Sequence, residues 1–370
     1  MIRRKLQDLT LCISYNVTFL HDKAHSYKNF RKQYSISEEI GRGGFGIVYK
    51  AERTEDGTPV AVKFVEHRHV RDWTTTCKQL VPTEICLLEM CNGTPGVVRL
   101  IDWFANSKGF MIVMERPEEF MDLFDLISIY GCLDETIARS IFVQVVNTVC
   151  SLYADHGVLH RDIKDENIII NMRTGEVILV DFGAATIISK TRASRFQGYG
   201  TRSYCPPEWF KRATYMPMEA TVWSLGIVLY VMVTGALPFR NEIQICLGRL
   251  SIPKNISEEC EHLIRRCLVV TPERRADLIE VRQHRWLCKP IATHEASFKC
   301  VLDRKLSKRL SKTNRKLKRS TSSTIPSSDD NELFLSDSQT DASIDICERI
   351  RRASSAADIT VDIHNSSNRT

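Results

Sequence analysis

The stretch His160-Arg161-Asp162-Ile163-Lys164-Asp165-Glu166-Asn167 decides how this chain is read, together with Asp181-Phe182-Gly183, which begins fourteen residues after its last position. The spacing gathers a proton acceptor, a phosphate-facing cation and two metal-capable oxygens into one small set of loops. Phosphoryl transfer needs that equipment, because the protein contributes positioning and charge stabilisation rather than covalent chemistry.

Upstream, Ile36 and Ile40 lead into Gly41-Arg42-Gly43-Gly44-Phe45-Gly46-Ile47-Val48. Glycines let a hairpin backbone approach phosphates closely, with main-chain N–H groups as donors and no Cβ in the way. Alone, G-x-G-x-x-G fits a dinucleotide-binding fingerprint or a plain turn equally well. The sequel decides: β-branched Ile47 and Val48, a turn at Asp56-Gly57 and the run Val60-Ala61-Val62-Lys63 read as strand, loop, strand, turn, strand, with no helix after the glycines. A lysine buried near phosphates needs a carboxylate to hold it. Val81, Ile85, Leu87 and Leu88 form an apolar stripe at helical spacing that carries Glu84, the candidate partner of Lys63.

These motifs, in this order, resemble the eukaryotic protein kinases. The resemblance implies an α+β, bilobal fold, with a small antiparallel β-rich N-lobe and a larger, mainly helical C-lobe. It implies that Asp162 accepts the proton of the substrate hydroxyl, that Asn167 and Asp181 hold Mg2+ and that Lys63, steadied by Glu84, meets the α/β-phosphates of ATP. Lys164, two residues after the base, stands where serine/threonine kinases reach the γ-phosphate, so the implied acceptor is Ser or Thr. Nucleotide contacts are implied from Ile40, Gly41, Arg42, Gly43, Gly44, Phe45, Gly46, Ile47, Val48, Ala61 and Lys63. Two further strands, Val97 to Phe104 and Gly109 to Glu115, lead to the hinge Glu115-Arg116-Pro117-Glu118, with Met114 at the back of the pocket. Proline has no N–H. With Pro117 at the usual donor position, adenine keeps the Glu115 carbonyl and loses one hinge hydrogen bond.

That hinge, with Val81-Pro82-x-Glu84, Leu159 to Asn167 and Pro206-Pro207-Glu208-Trp209, looks specifically like the PIM family of serine/threonine kinases, over residues 34 to 287. The likeness implies activity without phosphorylation of the activation segment, Asp181 to Glu208, which contains Thr186, Ser189, Thr191, Ser194, Thr201 and Ser203. This segment looks slightly longer than the family pattern around Gln197-Gly198-Tyr199. Thr201 resembles the threonine that contacts the catalytic loop, and Glu208 should pair with Arg275. Asp134 to His156 reads as a long amphipathic helix. Trp223-Ser224-Leu225-Gly226 opens the central C-lobe helix, but Thr221 stands where most kinases have an aspartate bracing the catalytic loop. The family favours basic residues upstream of the acceptor. Asp122, Asp125 and Glu166 match acidic positions that would attract them, while Val231 and Ala236 replace acids that related basophilic kinases often carry. A non-catalytic scaffold of this fold would normally lack the equivalent of Lys63, Asp162 or Asp181, and none is missing.

Size and composition agree with this outline. The 370 residues, 43% hydrophobic and 8% aromatic, suffice for a catalytic domain over 34–287 (N-lobe about 34–115, C-lobe about 119–287), a flexible N-terminal extension over 1–33 and a tail over 288–370. Residues 304 to 319 hold nine Lys/Arg and no Asp/Glu, so the formal +6 of the whole chain becomes −3 without them. The tail is Ser/Thr-rich with segregated basic and acidic blocks, a composition that predicts disorder. Its basic block suits a nuclear-import signal, a nucleic-acid or anionic-lipid contact, or a solubilising segment, and Leu302, Leu306, Leu310 and Leu317 allow an amphipathic basic helix there that would suit a membrane surface. Nucleic-acid binding through this block is the rival main activity, and it leaves the fold unexplained. Arg349-Ile350-Arg351-Arg352-Ala353-Ser354 makes Ser354 an expected autophosphorylation site. Thirteen cysteines without a C-x-x-C pair indicate a reducing compartment. Arg3, Arg4 and Lys5 precede the stretch Leu9 to Leu20, but polar residues interrupt it and no small-residue cleavage site follows, so no secretory leader is expected. No apolar run reaches the ~18 residues of a membrane span. The expectation is a soluble, monomeric enzyme in the cytoplasm, with the nucleus as a second location, acting on protein substrates and needing no nucleic acid.

Overall fold

The computed structural model describes residues 25–76, 79–188, 201–212, 216–290 and 297–321. The N-lobe is a five-stranded antiparallel sheet. Helix α1 (Tyr27–Gln33) leads into β1 (Tyr34–Gly43), and β2 (Gly46–Arg53) and β3 (Pro59–Glu66) follow by tight turns. Val60 and Val62 of the central strand β3 are fully buried, and Ala61 and Lys63 on its opposite face are buried as well, so this strand is covered on both sides. At the β1/β2 turn Gly46 has φ +141°, and a Cβ there would lie 2.4 Å from the Phe64 carbonyl oxygen, so only glycine lets β2 approach β3 so closely.

A small hairpin, β4 (Trp73–Thr76) with β5 (Gln79–Pro82), precedes α2 (Thr83–Met90). This corrects the extent of the helical stripe: Val81 belongs to β5, opposite Thr74, and the helix starts only after Pro82, which has no N–H to donate to a preceding turn. Strands β6 (Leu100–Ala105) and β7 (Gly109–Glu115) complete the sheet in the order β1-β2-β3-β7-β6. The sixth strand starts at Leu100 and not at Val97; Val97 and Val98 are buried, and Val97 makes only an isolated bridge to Leu179.

Beyond the hinge come β8 (Phe120–Asp122), α3 (Leu123–Tyr130) and the long α4 (Glu135–His156), which stops at Gly157 in the left-handed conformation. The short strands β9 (Val158–Leu159), β10 (Ile168–Asn171), β11 (Val177–Leu179) and β12 (Thr186–Ile187) frame the catalytic stretch; β10 lies between β8 and β11, and β9 pairs with β12. The regular elements that follow among the described residues are helices: α5 (Pro207–Arg212), α6 (Pro217–Thr234), α7 (Glu242–Leu247), α8 (Glu258–Cys267), α9 (Leu278–Arg282) and α10 (Phe298–Thr321). Among the described helices, α4 and α6 are long and apolar enough by length and composition to cross a membrane, which qualifies the expectation drawn from apolar runs. Here they are core helices: Phe142, Val146, Trp223 and Leu225 are all buried in the large apolar cluster that runs from the C-lobe into the N-lobe.

The described residues that flank 34–287 on either side are better ordered than their composition suggests. Residues 25–33 are not a loose extension. Phe30 is 2% exposed against Tyr34 and Phe104, and the His25 ring stacks on Trp103 at 4.0 Å between centroids. The tail is not structureless from 288. Helix α10 buries Phe298, Val301 and Leu302 in the C-lobe, because these three apolar residues fall on one helical face ahead of the basic block. Ser189, Thr191, Ser194, residues 197–199 and Ser354 lie outside the described residues.

Candidate active site

Register places the nucleotide-facing strand first. In β3, Lys63 sits opposite Val48 of β2 and Ile112 of β7, and Ala61 sits opposite Lys50 and Met114. The Lys63 ammonium leaves the sheet and lies 2.5 Å from Glu84 Oε1 and 2.7 Å from Asp181 Oδ1. All three come from different elements: a strand, the first turn of α2 and the loop after β11. Burial alone would push the Lys63 pKa down, but the Asp181 and Glu84 carboxylates outweigh it and hold it above the ordinary lysine value. Burial likewise works against ionised Asp181, and the Lys63 charge reverses the balance and keeps its carboxyl below the usual aspartate range. Glu84 shifts the other way: burial raises its carboxyl above the ordinary glutamate range, with the Lys63 charge opposing, so the charge this buried site favours most is that of the Lys63/Asp181 pair.

The catalytic loop faces this triad. Asn167 Nδ2 donates to the Asp162 carbonyl at 2.8 Å and to Asp162 Oδ2 at 3.1 Å, and the Thr201 N–H donates to Asp162 Oδ1 at 3.3 Å. With its amide nitrogen engaged, Asn167 is left with its carbonyl oxygen as the free donor atom for a cation. That oxygen and the Asp181 carboxylate form the hard-oxygen pair that Mg2+ takes when phosphates and water complete its shell, so the residues present fit the ion. Lys164 Nζ lies 2.6 Å from Glu166 Oε2, 3.1 Å from Thr201 Oγ1 and 3.6 Å from Asp162 Oδ2. Thr201 thus contacts the catalytic loop as its sequence position suggested.

Supporting contacts explain how these loops hold shape. Burial pushes the His160 pKa down, leaving a neutral ring: Nε2 donates to the Val180 carbonyl at 2.9 Å and Nδ1 faces the Asp162 N–H at 3.4 Å. Arg161 and Asp181 take φ of +65° and +64°, a left-handed conformation that non-glycine residues keep only where their surroundings enforce it. Arg161 Nε donates to the Ala184 carbonyl at 2.5 Å, tying the catalytic loop to the segment after Asp181. Thr221 does not replace the missing brace: it is buried with its hydroxyl turned to the Pro217 carbonyl at 2.8 Å. Instead Ser224 Oγ donates to the Tyr204 carbonyl at 3.2 Å, linking α6 to the segment that carries Thr201.

The glycine hairpin closes with Gly43 opposite Gly46. Phe45 at its tip lies under Arg71, with the guanidinium carbon 3.9 Å from the ring centroid and Lys63 Nζ 5.6 Å from it. Arg42 pairs with Glu39 of its own strand at 2.6 Å, and Ile40 is exposed. At the hinge, the Glu115 carboxylate accepts from the Arg99 N–H at 2.9 Å, while Arg116 Nε donates to the Val60 carbonyl at 3.3 Å. Below it, Asp122 caps α3 by accepting the Asp125 N–H at 2.7 Å, and Asp125 itself is exposed. Asp122, Asp165 and Glu166 are close enough to repel one another. The role of Asp181 as a second partner of Lys63 and that of Arg71 at the glycine hairpin are not visible in linear spacing, since each depends on a contact between segments far apart in the chain.

Comparison with known proteins agrees with this geometry. The protein kinase domain family matches residues 34–287, and the chain belongs to that family. Its relatives are serine/threonine kinases. It is 44% identical over 290 residues to the serine/threonine-protein kinase prk-2 of Caenorhabditis elegans, covering 77% of this chain and 65% of the relative. It is 38% identical over 270 residues to the serine/threonine-protein kinase pim-2 of Danio rerio, covering 70% and 86%. A PAS domain-containing serine/threonine-protein kinase of Mus musculus is 33% identical over 263 residues, 70% of this chain and 19% of the relative. The chain therefore spans just under two thirds of prk-2 and most of pim-2.

Proposed function

We propose that this protein transfers the γ-phosphate of ATP to Ser or Thr hydroxyls of protein substrates, favours acceptors with upstream basic residues, and does so in a PIM-like manner without requiring a phosphorylated activation segment. The observation that carries the reading is the convergence of Lys63, Glu84 and Asp181 on one side of the cleft with Asp162, Lys164 and Asn167 on the other. The Lys63/Glu84 pair is made at 2.5 Å. A non-catalytic scaffold would not need all six.

Each side chain then has a task. Lys63 and the glycine hairpin hold the phosphates, and Asp181 and Asn167 would hold Mg2+, which neutralises charge on the transferring group when bound. Asp162, oriented by Asn167 and by the Thr201 N–H, receives the hydroxyl proton, and Lys164 offsets charge developing on the phosphoryl oxygens. Asp122, Asp125 and Glu166 supply the acidic surface for basic substrates. Cytoplasmic location, supported by the free cysteines among the described residues, and nuclear access, supported by the charge of residues 304–319, belong to the same proposal, as does a monomeric state.

The test is phosphate transfer from Mg-ATP to Ser, Thr and Tyr peptides with and without upstream arginines. Transfer to Ser/Thr peptides should rise with arginine and fall by about 100- to 1,000-fold or more in Asp162→Asn and Lys63→Met. Nucleotide binding without transfer in the folded wild type would leave only a scaffold.

A further inference from the structure

Lys164 is the cation nearest the acceptor base, yet its ammonium is occupied. Three oxygens stand around it: Glu166 Oε2 at 2.6 Å, Thr201 Oγ1 at 3.1 Å and Asp162 Oδ2 at 3.6 Å. Two of the three ammonium protons go to Glu166 and Thr201, and Asp162 at 3.6 Å adds an ion pair without a hydrogen bond, so the charge of Lys164 is shared among these partners and only partly free for a phosphoryl oxygen while they stay in place. The partners differ in how readily they can be drawn away. Asp162 is 4% exposed, and Thr201 is tied to it through the Thr201 N–H. The Glu166 side chain is 55% exposed, and it has the shortest contact with Lys164, whose own side chain is 16% exposed. Glu166 also lies within electrostatic reach of Asp122, and Asp165 adjoins both, so an incoming cation is drawn to the carboxylate that holds Lys164.

We propose that Glu166 is a substrate-operated latch: a basic side chain of the substrate takes over its carboxylate and frees Lys164 for the phosphoryl group. This rests on the kinase reading above and goes beyond it, because it assigns the basic residue an effect on the chemical step in addition to binding. No bond is made or broken at the latch; one ion pair replaces another. An ion pair this accessible to water is weak, and its release corresponds to a change of about two- to fivefold in rate.

The experiment is a rapid-quench measurement of the phosphoryl-transfer rate at saturating Mg-ATP and peptide, on matched Ser peptides with and without the upstream arginine. In the wild type the arginine should raise the transfer rate about two- to fivefold, apart from any fall in KM. In Glu166→Gln the peptide without arginine should be phosphorylated faster than by the wild type, by the same factor, and the arginine should no longer change the rate. Glu166→Asp, which keeps the charge, should retain an arginine effect. An arginine that alters only KM in the wild type, or a Glu166→Gln enzyme no faster on the neutral peptide, overturns the latch while leaving the kinase reading intact. Absence of transfer from the wild type to every peptide overturns both.

Discussion

Phe298 packs against Gly175: a Cβ on this glycine would come within 2.9 Å of the Phe298 ring, and its φ of +78° already disfavours any other residue. Gly175 sits in the turn between β10 and β11, and β10 begins immediately after Asn167. The first turn of α10 is fastened there as well. The Phe298 N–H donates to the Arg173 carbonyl at 3.1 Å and the Lys299 N–H to the Met172 carbonyl at 2.8 Å, satisfying two of the donors that a helix start leaves open. Further along, Tyr130 donates to Asp303 at 2.8 Å and Lys305 pairs with Asp134 at 2.9 Å. The structural unit therefore extends past residue 287, where the family match ends.

Removing this strap should destabilise the catalytic domain. Phe298→Ala should cost about 3 kcal/mol, or roughly 6–12 °C in Tm for a domain of this size. Truncation after residue 290 should cost at least as much, and the two should coincide if loss of the ring undocks the whole helix. Thermal melts of the full chain and the truncated form measure it, and coincident melts of those two would show that α10 contributes nothing.

The Glu208/Arg275 pair should matter to stability far more than any surface ion pair. Both nitrogens of the Arg275 fork meet the Glu208 carboxylate at 2.9 Å, Nη1 also donates to the Glu219 carbonyl at 2.7 Å, and the Arg275 side chain is 0% exposed. Arg275→Ala leaves a carboxylate buried without its counter-charge and should cost about 3–5 kcal/mol. Arg275→Lys cannot reproduce the fork and should recover only part of that. Urea midpoints of the three proteins give the order directly.

The division between what linear sequence reveals and what it hides follows the range of the contacts. Strand period, the glycine turn and the long helix over 135–156 are local, and they were legible, as was the Lys63/Glu84 pair, since a buried lysine demands a carboxylate from the next helix. The β4/β5 hairpin was missed because Trp73 to Pro82 is too short and mixed in character to show a period of two. Helix α1 and the start of α10 were missed because each rests on a few aromatic or aliphatic side chains that meet distant partners: Phe30 on Phe104, Phe298 on Gly175. An amphipathic helix through Leu302 was legible, but the basic block dominates composition over 298–321 and masks Phe298 and Val301, which anchor its first turn to the C-lobe. Thr221 was legible as a departure, but the contact that Ser224, one turn along the same helix, makes with the Tyr204 carbonyl needed the fold.

Glu84→Gln probes the Lys63 triad while keeping its shape. The amide still fits, but it removes one of the two charges that keep Lys63 ionised and in place, and Asp181 must then serve both Lys63 and the cation. Phosphoryl transfer should fall by roughly 10- to 100-fold, less than in Lys63→Met, because loss of one electrostatic partner weakens the site without dismantling it. Transfer rates of the two variants side by side decide this, and an unchanged Glu84→Gln enzyme would show that Asp181 alone positions the lysine.

Preference for basic substrates should depend on pH through Asp122. Burial raises its carboxyl pKa to about 6, with repulsion from Asp125, Asp165 and Glu166 adding to the effect and the Asp125 N–H opposing it. Below pH 6 the group is mostly protonated and offers a cationic substrate little attraction; above it, the charge appears beside Glu166. The ratio of kcat/KM for an arginine-containing peptide to that for its neutral counterpart should therefore rise as pH passes through about 6, a ratio in which ionisations common to both substrates cancel. Asp122→Asn keeps an acceptor for the α3 cap and should flatten the rise. The same shift predicts a stability effect with a definite sign. The folded-state pKa lies above the unfolded one, so the stability linked to the proton is complete below the unfolded value and is lost as pH rises through the folded value. Asp122→Asn should accordingly gain stability over the wild type above pH 6 and not below pH 4. A preference ratio that stays flat in the wild type would remove Asp122 from substrate recognition.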